Sequence, residues 1–179
     1  MKKSVLRILT VLTCFFWFLG CSSTPEKPKL QTTDKFVVSD VSVTLSQTRE
    51  PGIEYHSQDA LEGLFVEKIS EKLKANNLLT DDASANALDI KIKYRRQFIG
   101  DATPIPSDSL RSPAVSYEIY IKDGEKLLAT VSRREFEYIG GMAVRLKLLA
   151  GQSRSKSDEA ALVDGVSGSI VGKIKEMKN

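Results

Sequence analysis

The sequence predicts an α+β domain, a four-stranded and largely antiparallel sheet with two helices on one face, in the order β-α-β-β-β-α. Three observations predict it. Four segments alternate apolar and polar residues with a period of two. Two segments carry an apolar stripe at helical spacing. Asp123-Gly124 joins two of the alternating segments through a turn that fits only an antiparallel hairpin.

The first strand spans Phe36 to Leu45, with Val37, Val41, Val43 and Leu45 on one face and Asp40, Ser42 and Thr44 on the other. Residues 46–56 form a loop around the turn pair Pro51-Gly52. A helix follows from about Asp59 to Asn76. Asp59 is its expected cap, with Glu62 reaching back as in a capping box. Leu61, Leu64, Phe65, Ile69 and Leu73 make its apolar stripe, and Asn76-Asn77 ends it because asparagine tolerates a left-handed backbone.

The second strand has the firmest facing. Leu88, Ile90, Ile92 and Tyr94 alternate with Asp89, Lys91, Lys93 and Arg95, so a slip of one residue would bury four charges. It is expected to run on to Phe98 or Ile99. Three prolines exclude regular structure from residues 100–113, a loop long enough to suggest function or disorder. The third strand covers Val115 to Lys122. The fourth runs from Lys126 to about Ile139 with a split facing: Leu128, Phe136 and Tyr138 share one parity, Ala129 and Val131 the other. A bulge near Ser132 would reconcile its two ends.

Met142 to Ala150 reads two ways. Met142, Val144, Leu146 and Leu148 alternate as in a strand, while the richness in Leu, Ala and Met suits a short helix. The last helix spans about Asp158 to Met177, with Leu162, Val166, Ile170 and Ile174 at intervals of four. Gly165, Gly168 and Gly172 each cost a helix about 1 kcal/mol against alanine, and close packing onto the sheet is the expected compensation.

Ahead of the domain, Lys2, Lys3 and Arg7 precede an apolar run from Ile8 to Leu19. That run is too short to cross a hydrocarbon core of ~30 Å as a helix and has the form of a secretory signal. Gly20 stands at the expected cleavage point, before Cys21. Phe18-Leu19-Gly20-Cys21 resembles the lipobox of bacterial lipoproteins. The resemblance implies that the Cys21 thiol is alkylated with diacylglycerol and the chain cut just before it. Ser22 after the cysteine implies sorting to the outer membrane, with the domain facing the periplasm. The organisation that follows is a signal at residues 1–20, a lipidated N-terminus and tether at 21–33, and one domain at 34–179. A dozen extended tether residues reach on the order of 35 Å.

Cleavage also changes the composition. The formal charge of the full chain is +3, from 26 basic and 23 acidic residues. Losing Lys2, Lys3 and Arg7 leaves 23 against 23, so no nucleic-acid partner is expected. Cys14 leaves with the signal, and acylation of Cys21 then leaves no thiol for a disulfide or a metal.

The residue inventory argues against an enzyme, and no cofactor or metal is expected. His56 is the single histidine and reads as a solvated loop residue. No serine lies in a nucleophile elbow, and no phosphate-cradling glycine loop is present. Glu135 and Glu137 could pair as carboxylates, but Lys91, Lys93 and Arg95 offer them a simpler cross-strand lattice. The expected contact residues are Lys91, Lys93 and Arg95 on the basic strand face, and Met142, Val144, Leu146 and Leu148 in the ambiguous segment.

The element order over residues 34–177 resembles that of small Gram-negative envelope lipoproteins, among them the lipopolysaccharide-assembly lipoprotein, in architecture alone. The sequence therefore points to a membrane-anchored, noncatalytic accessory of an envelope assembly or transport complex, held to the membrane by its N-terminal lipid and meeting an envelope protein partner. The alternative is a binding module for an anionic glycan or lipid at the basic strand face.

Overall fold

The computed structural model of the chain describes residues 32–101, 103–138 and 140–178. The expected signal, Cys21 and nearly all of the tether lie outside the described residues. The elements are β1 (Phe36–Gln47), α1 (Gln58–Ala75), β2 (Asn86–Arg96), β3 (Ala114–Asp123), β4 (Lys126–Glu137), α2 (Met142–Leu149) and α3 (Lys156–Lys178). The α+β class and the four-stranded sheet stand as expected, with α2 as a third helix.

Strand order in the sheet is β1-β2-β3-β4. The pairs β2–β3 and β3–β4 are antiparallel, and β1–β2 is parallel. The parallel pair follows from α1. A crossover helix carries the chain back along the sheet, so β2 starts beside the start of β1. Consequently β1 and β2 both end, and β3 begins, at the same end of the sheet.

One face is sealed. Val41 and Val43 of β1, Leu88, Ile90, Ile92 and Tyr94 of β2, and Val115, Tyr117, Ile119 and Ile121 of β3 point into a single core. They meet Leu61, Phe65, Ile69 and Leu73 of α1, and Val163, Val166, Ile170 and Ile174 of α3. Each such side chain contributes roughly 1.5–3 kcal/mol on burial. The Phe65 ring meets Tyr94 edge-on at 6.0 Å, locking α1 to β2. The opposite face of the sheet is polar and carries no helix among the described residues.

Several local expectations need correction. Ser57, not Asp59, caps α1: its backbone is extended and its side chain accepts from the Ala60 amide at 3.3 Å. Glu62 does not reach back to the cap. Its carboxylate accepts from the Val43 amide at 2.9 Å, and Gln58 Oε1 accepts from the Leu45 amide at 3.2 Å. These two bonds occupy the Val43 and Leu45 amides on the outer edge of β1 and hinder strand pairing there. Asn77 does adopt the left-handed backbone, with φ of 55°. The β3–β4 turn has Gly124 and Glu125 at its centre, because Asp123 pairs with Lys126. Only Gly124 of the two has positive φ, 56°, which suits a turn with glycine first.

β4 resolves its split facing by a bulge. Tyr117 pairs with Arg133 and Val115 with Phe136, so Arg134 and Glu135 together oppose Ser116. A second shift puts Ala129 opposite Ile121 and Leu127 opposite Lys122. Ala129, Val131 and Phe136 thus all pack toward the core despite their mixed parity.

β2 stops at Arg96 rather than Phe98. Phe98 instead forms an isolated bridge to Leu110. The proline loop is tied down at both sides: the Ile99 amide donates to Ser109 O, the Arg111 amide to Gln97 O, and the Leu110 amide to Ser153 O. A second small core, of Tyr55, Phe98, Leu110, Leu148 and Leu162, fills the space under it. The segment after Gly141 is a helix because that core takes one side of it: Val144 and Leu148, four apart, pack inward. Met142, Leu146 and Leu149 are left 82%, 61% and 76% exposed.

The three glycines of α3 differ. A Cβ on Gly165 would lie 1.8 Å from Tyr138 Oη, so Tyr138 packs flat on that turn of the helix. At Gly168 the nearest neighbour is the Lys72 side chain at 3.8 Å, and Gly172 faces open space. Close packing therefore accounts for Gly165 alone. Gly165→Ala displaces Tyr138 and is expected to cost about 1–3 kcal/mol of stability as an overpacking change. Gly172→Ala is expected to stabilise by up to about 1 kcal/mol. Urea unfolding of both variants checks the pair, and equal effects would contradict the packing.

Candidate functional site

Two polar sites stand out, one buried and internally matched, the other exposed and unmatched. The buried site lies at the sheet end where β1 and β2 stop. Arg96 continues the inward phase of Tyr94 and is 4% exposed; Glu159, in the first turn of α3, is fully buried. Arg96 Nε donates to Glu159 Oε1 at 2.7 Å. Its other two nitrogens donate to Gln47 Oε1 at 2.7 Å and to the His56 carbonyl at 2.6 Å.

Glu159 Oε2 accepts from the His56 amide at 2.9 Å and lies 3.0 Å from His56 Nδ1. His56 is thus not the solvated loop residue that the sequence suggested. It closes a group that joins β1, β2, the 48–57 loop and α3. The guanidinium also sits 5.3 Å from the Tyr55 ring centroid. Burial raises the Tyr55 phenol to about 12, with the Glu159 charge adding to the effect. A cleft of about 630 Å³ opens above the group, bounded by the 50–57 loop, Gln47, Ala60 and Lys156.

The sequence held a signal for this pair. Arg96 falls on the apolar phase of β2, and Glu159 precedes Leu162 and Val166 on the apolar stripe of α3. Two opposite charges on inward phases need each other.

The exposed site is the bare sheet face. Cross-strand register lines up Thr44 of β1, Lys93 of β2 and Ser116 of β3, with the β4 bulge bringing Arg134 opposite Ser116. The next row holds Ser42, Lys91, Glu118 and Ser132. These residues line a depression of about 360 Å³. Lys91 Nζ lies 5.5 Å from the Tyr120 ring centroid, and the Tyr120 hydroxyl donates to Glu118.

Of the expected basic residues, Arg95 stands apart. It pairs with Glu135 across β3, while Arg111 takes Glu137 at 3.2 Å. The two carboxylates are therefore held by separate arginines and form no acid pair. Among the described residues, Lys91, Lys93 and Arg134 have no carboxylate within 4.0 Å. Both adjacent arginines border the depression, but they differ in partners: Arg133 stacks 3.8 Å over Phe136 and donates to Ser169 Oγ of α3, whereas Arg134 has no carboxylate within 4.0 Å among the described residues. Of the expected apolar contact residues, Met142 and Leu146 are exposed, whereas Leu148 is 7% exposed and Val144 packs inward with it.

No family model and no curated protein matches the chain. Among solved structures the likenesses are weak, as three of them illustrate. Protein XCC0632 from Xanthomonas campestris, described under the family model DUF330, has 12% identity and a TM-score of 0.34, over 83% of this chain and 94% of that one. The rare lipoprotein B from Shewanella oneidensis has 14% identity and a TM-score of 0.25, over 75% of this chain and 98% of that one. PelC from Paraburkholderia phytofirmans, solved as a dodecamer, has 13% identity and a TM-score of 0.20, over 76% and 94%. At these scores the function has to be read from the chain's own residues.

Two predictions follow from the charge geometry. Glu159→Gln leaves the Arg96 guanidinium buried without its counter-charge and is expected to cost about 3–5 kcal/mol, read as a lower denaturation midpoint. Asp158 lies at the joint between α2 and α3. Burial raises its carboxyl, but bonds from Ser155 Oγ at 2.6 Å, Lys147 Nζ at 2.9 Å and the Arg154 amide at 3.0 Å outweigh this and hold it below its ordinary 3.8. A carboxyl depressed on folding stabilises above its unfolded value and loses that contribution as pH falls through the folded one. The stability gap between wild type and Asp158→Asn is therefore full above about pH 5 and closes in stronger acid, as pH-dependent unfolding measures.

Proposed function

We propose that this chain is a lipid-anchored, noncatalytic accessory of the bacterial outer membrane, part of an assembly or transport complex, and that the bare face of its sheet is the working surface. The observation that carries the reading is the contrast between the two charged sites. At the buried site, Arg96 spends all three nitrogens and Glu159 both oxygens on neighbours within the domain. That group holds a loop in place. On the sheet face, Lys91, Lys93 and Arg134 lie in the open among serine and threonine hydroxyls, and the one carboxylate lining the depression, Glu118, accepts from Tyr120. Exposed charge without an ion-pair partner, on a face that carries no helix among the described residues, is the chemistry of recognition.

The N-terminal sequence supports the anchor. Phe18-Leu19-Gly20-Cys21 after a basic start supplies the thiol for acylation, and two or more acyl chains give stable attachment where one does not. The polar stretch from Ser22 lets the domain work clear of the lipid surface.

The test is photo-crosslinking in cells with a reactive residue at Ser42 or Ser132 on the bare face, and at Lys74 on the exposed side of α1 as control. Adducts to an envelope component from the face positions alone are expected. Adducts from Lys74 alone, or from none of the three, would refute the assignment of the face. In parallel, Cys21→Ser is expected to release the chain from the membrane fraction, and retention there would refute the lipid anchor.

A further inference from the structure

The β4 bulge gives the bare face a feature more specific than general basicity. Two long cationic side chains flank a short one. Lys93 stands on β2, Arg134 on β4, and Ser116 lies between them on β3. Strands are about 4.8 Å apart, so the two cations rise from backbones roughly 10 Å apart over a serine floor. That spacing lets both side chains converge on one group seated above Ser116. Thr44, level with Lys93 on its other side, adds a further hydroxyl, and Lys91 stands two residues along the same strand.

The local carboxylates do not compete for this half of the depression. Glu135, which shares the bulge with Arg134, is taken by Arg95. Glu118 lies in the neighbouring row, opposite Lys91, and accepts from Tyr120. Without the bulge, Arg134 and Glu135 would point to opposite faces. With it, Glu135 satisfies Arg95 while Arg134 is left to line the depression.

We propose that Lys93, Ser116 and Arg134, with Thr44 and Lys91 beside them, form a binding site for the phosphate ester of a lipid head group. The proposal rests on the reading of this face as the working surface and names what it takes. Two flanking cations and hydroxyl donors from below suit an oxyanion with several acceptor oxygens. The depression, about 360 Å³, has room beyond the phosphate for more of a head group. A domain anchored by its own N-terminal lipid would meet such groups at high local concentration.

The experiment uses the full chain in micelles of an uncharged detergent, followed by amide NMR and by calorimetric titration. The probes are a short-chain phosphatidate, the matching diacylglycerol, inorganic phosphate and an oligoglutamate peptide. Phosphatidate is expected to bind and to shift the amides of Lys93, Ser116 and Arg134, with no response to diacylglycerol. Lys93→Gln with Arg134→Gln is expected to weaken phosphatidate by about tenfold or more, because two charge-assisted hydrogen bonds are lost. The unfolding midpoint should stay put, since both side chains are exposed.

Undiminished binding by the double variant would overturn the proposal. So would inorganic phosphate binding as tightly as phosphatidate, which would make this a site for the free anion. Binding of oligoglutamate in place of phosphatidate would assign the face to an acidic protein segment. In that last case the docking reading, tested by crosslinking at Ser42 and Ser132, would stand while the head-group site fell.

Discussion

The buried Glu159 carboxylate is the constraint on which one end of the molecule depends. It is fully desolvated, and a lone carboxylate in that position would be untenable. Arg96 supplies the counter-charge, and the His56 amide and ring complete its shell. In satisfying one side chain, the chain joins three stretches far apart in sequence: the end of β1 at Gln47 with the 48–57 loop that follows it, the end of β2, and the start of α3. An apolar residue at 159 would pack as well but would not choose which loop lies above it. The ion pair specifies an arrangement more than it adds stability.

The second core extends that arrangement outward. Tyr55 precedes His56 and packs with Phe98, Leu110, Leu148 and Leu162. Its hydroxyl donates to the Asp108 carbonyl at 2.5 Å, and Arg49 pairs with the Asp108 carboxylate at 2.8 Å. The Arg49 hydrogen bond is the main reason that this carboxyl lies below its ordinary value. The two long loops therefore hold each other, which is how the described part of the three-proline loop is held without regular structure. α2 sits over the same core, so its inward side is set by packing and its outward side by what remains.

The opposite economy governs the sheet. Helices α1 and α3 cover one face, and on the other Arg95 and Lys122 pair with Glu135 and Asp89, while Lys91, Lys93 and Arg134 have no carboxylate within 4.0 Å among the described residues. Edge protection is likewise unequal. Glu62 and Gln58 cap the Val43 and Leu45 amides of β1. β4, by contrast, is blunted by its two register shifts and by Lys126, Arg133, Arg134 and Glu135, features that discourage strand addition. The bulge in β4 thus serves the edge and also sets the donors on the face.

What the sequence determined by itself was whatever a local period could express. The facing of β2, the stripe of α1, the end of α1 before Asn76-Asn77 and the tight β3–β4 turn are all written in runs of neighbouring residues. So is the basic face, because alternation alone puts Lys91, Lys93 and Arg95 together. The tertiary structure decided what depends on a partner distant in sequence. Met142–Leu149 became a helix because the second core took Val144 and Leu148. Glu62 left the cap for a strand edge that α1 happens to pass. Arg95 was separated from Lys93 by Glu135, which only the bulge brings within reach. His56 ceased to be a loop residue in water because Glu159, about a hundred residues on, required its amide. A period in the sequence fixes which way a side chain points, but only the packed chain determines which unsatisfied group it will meet there.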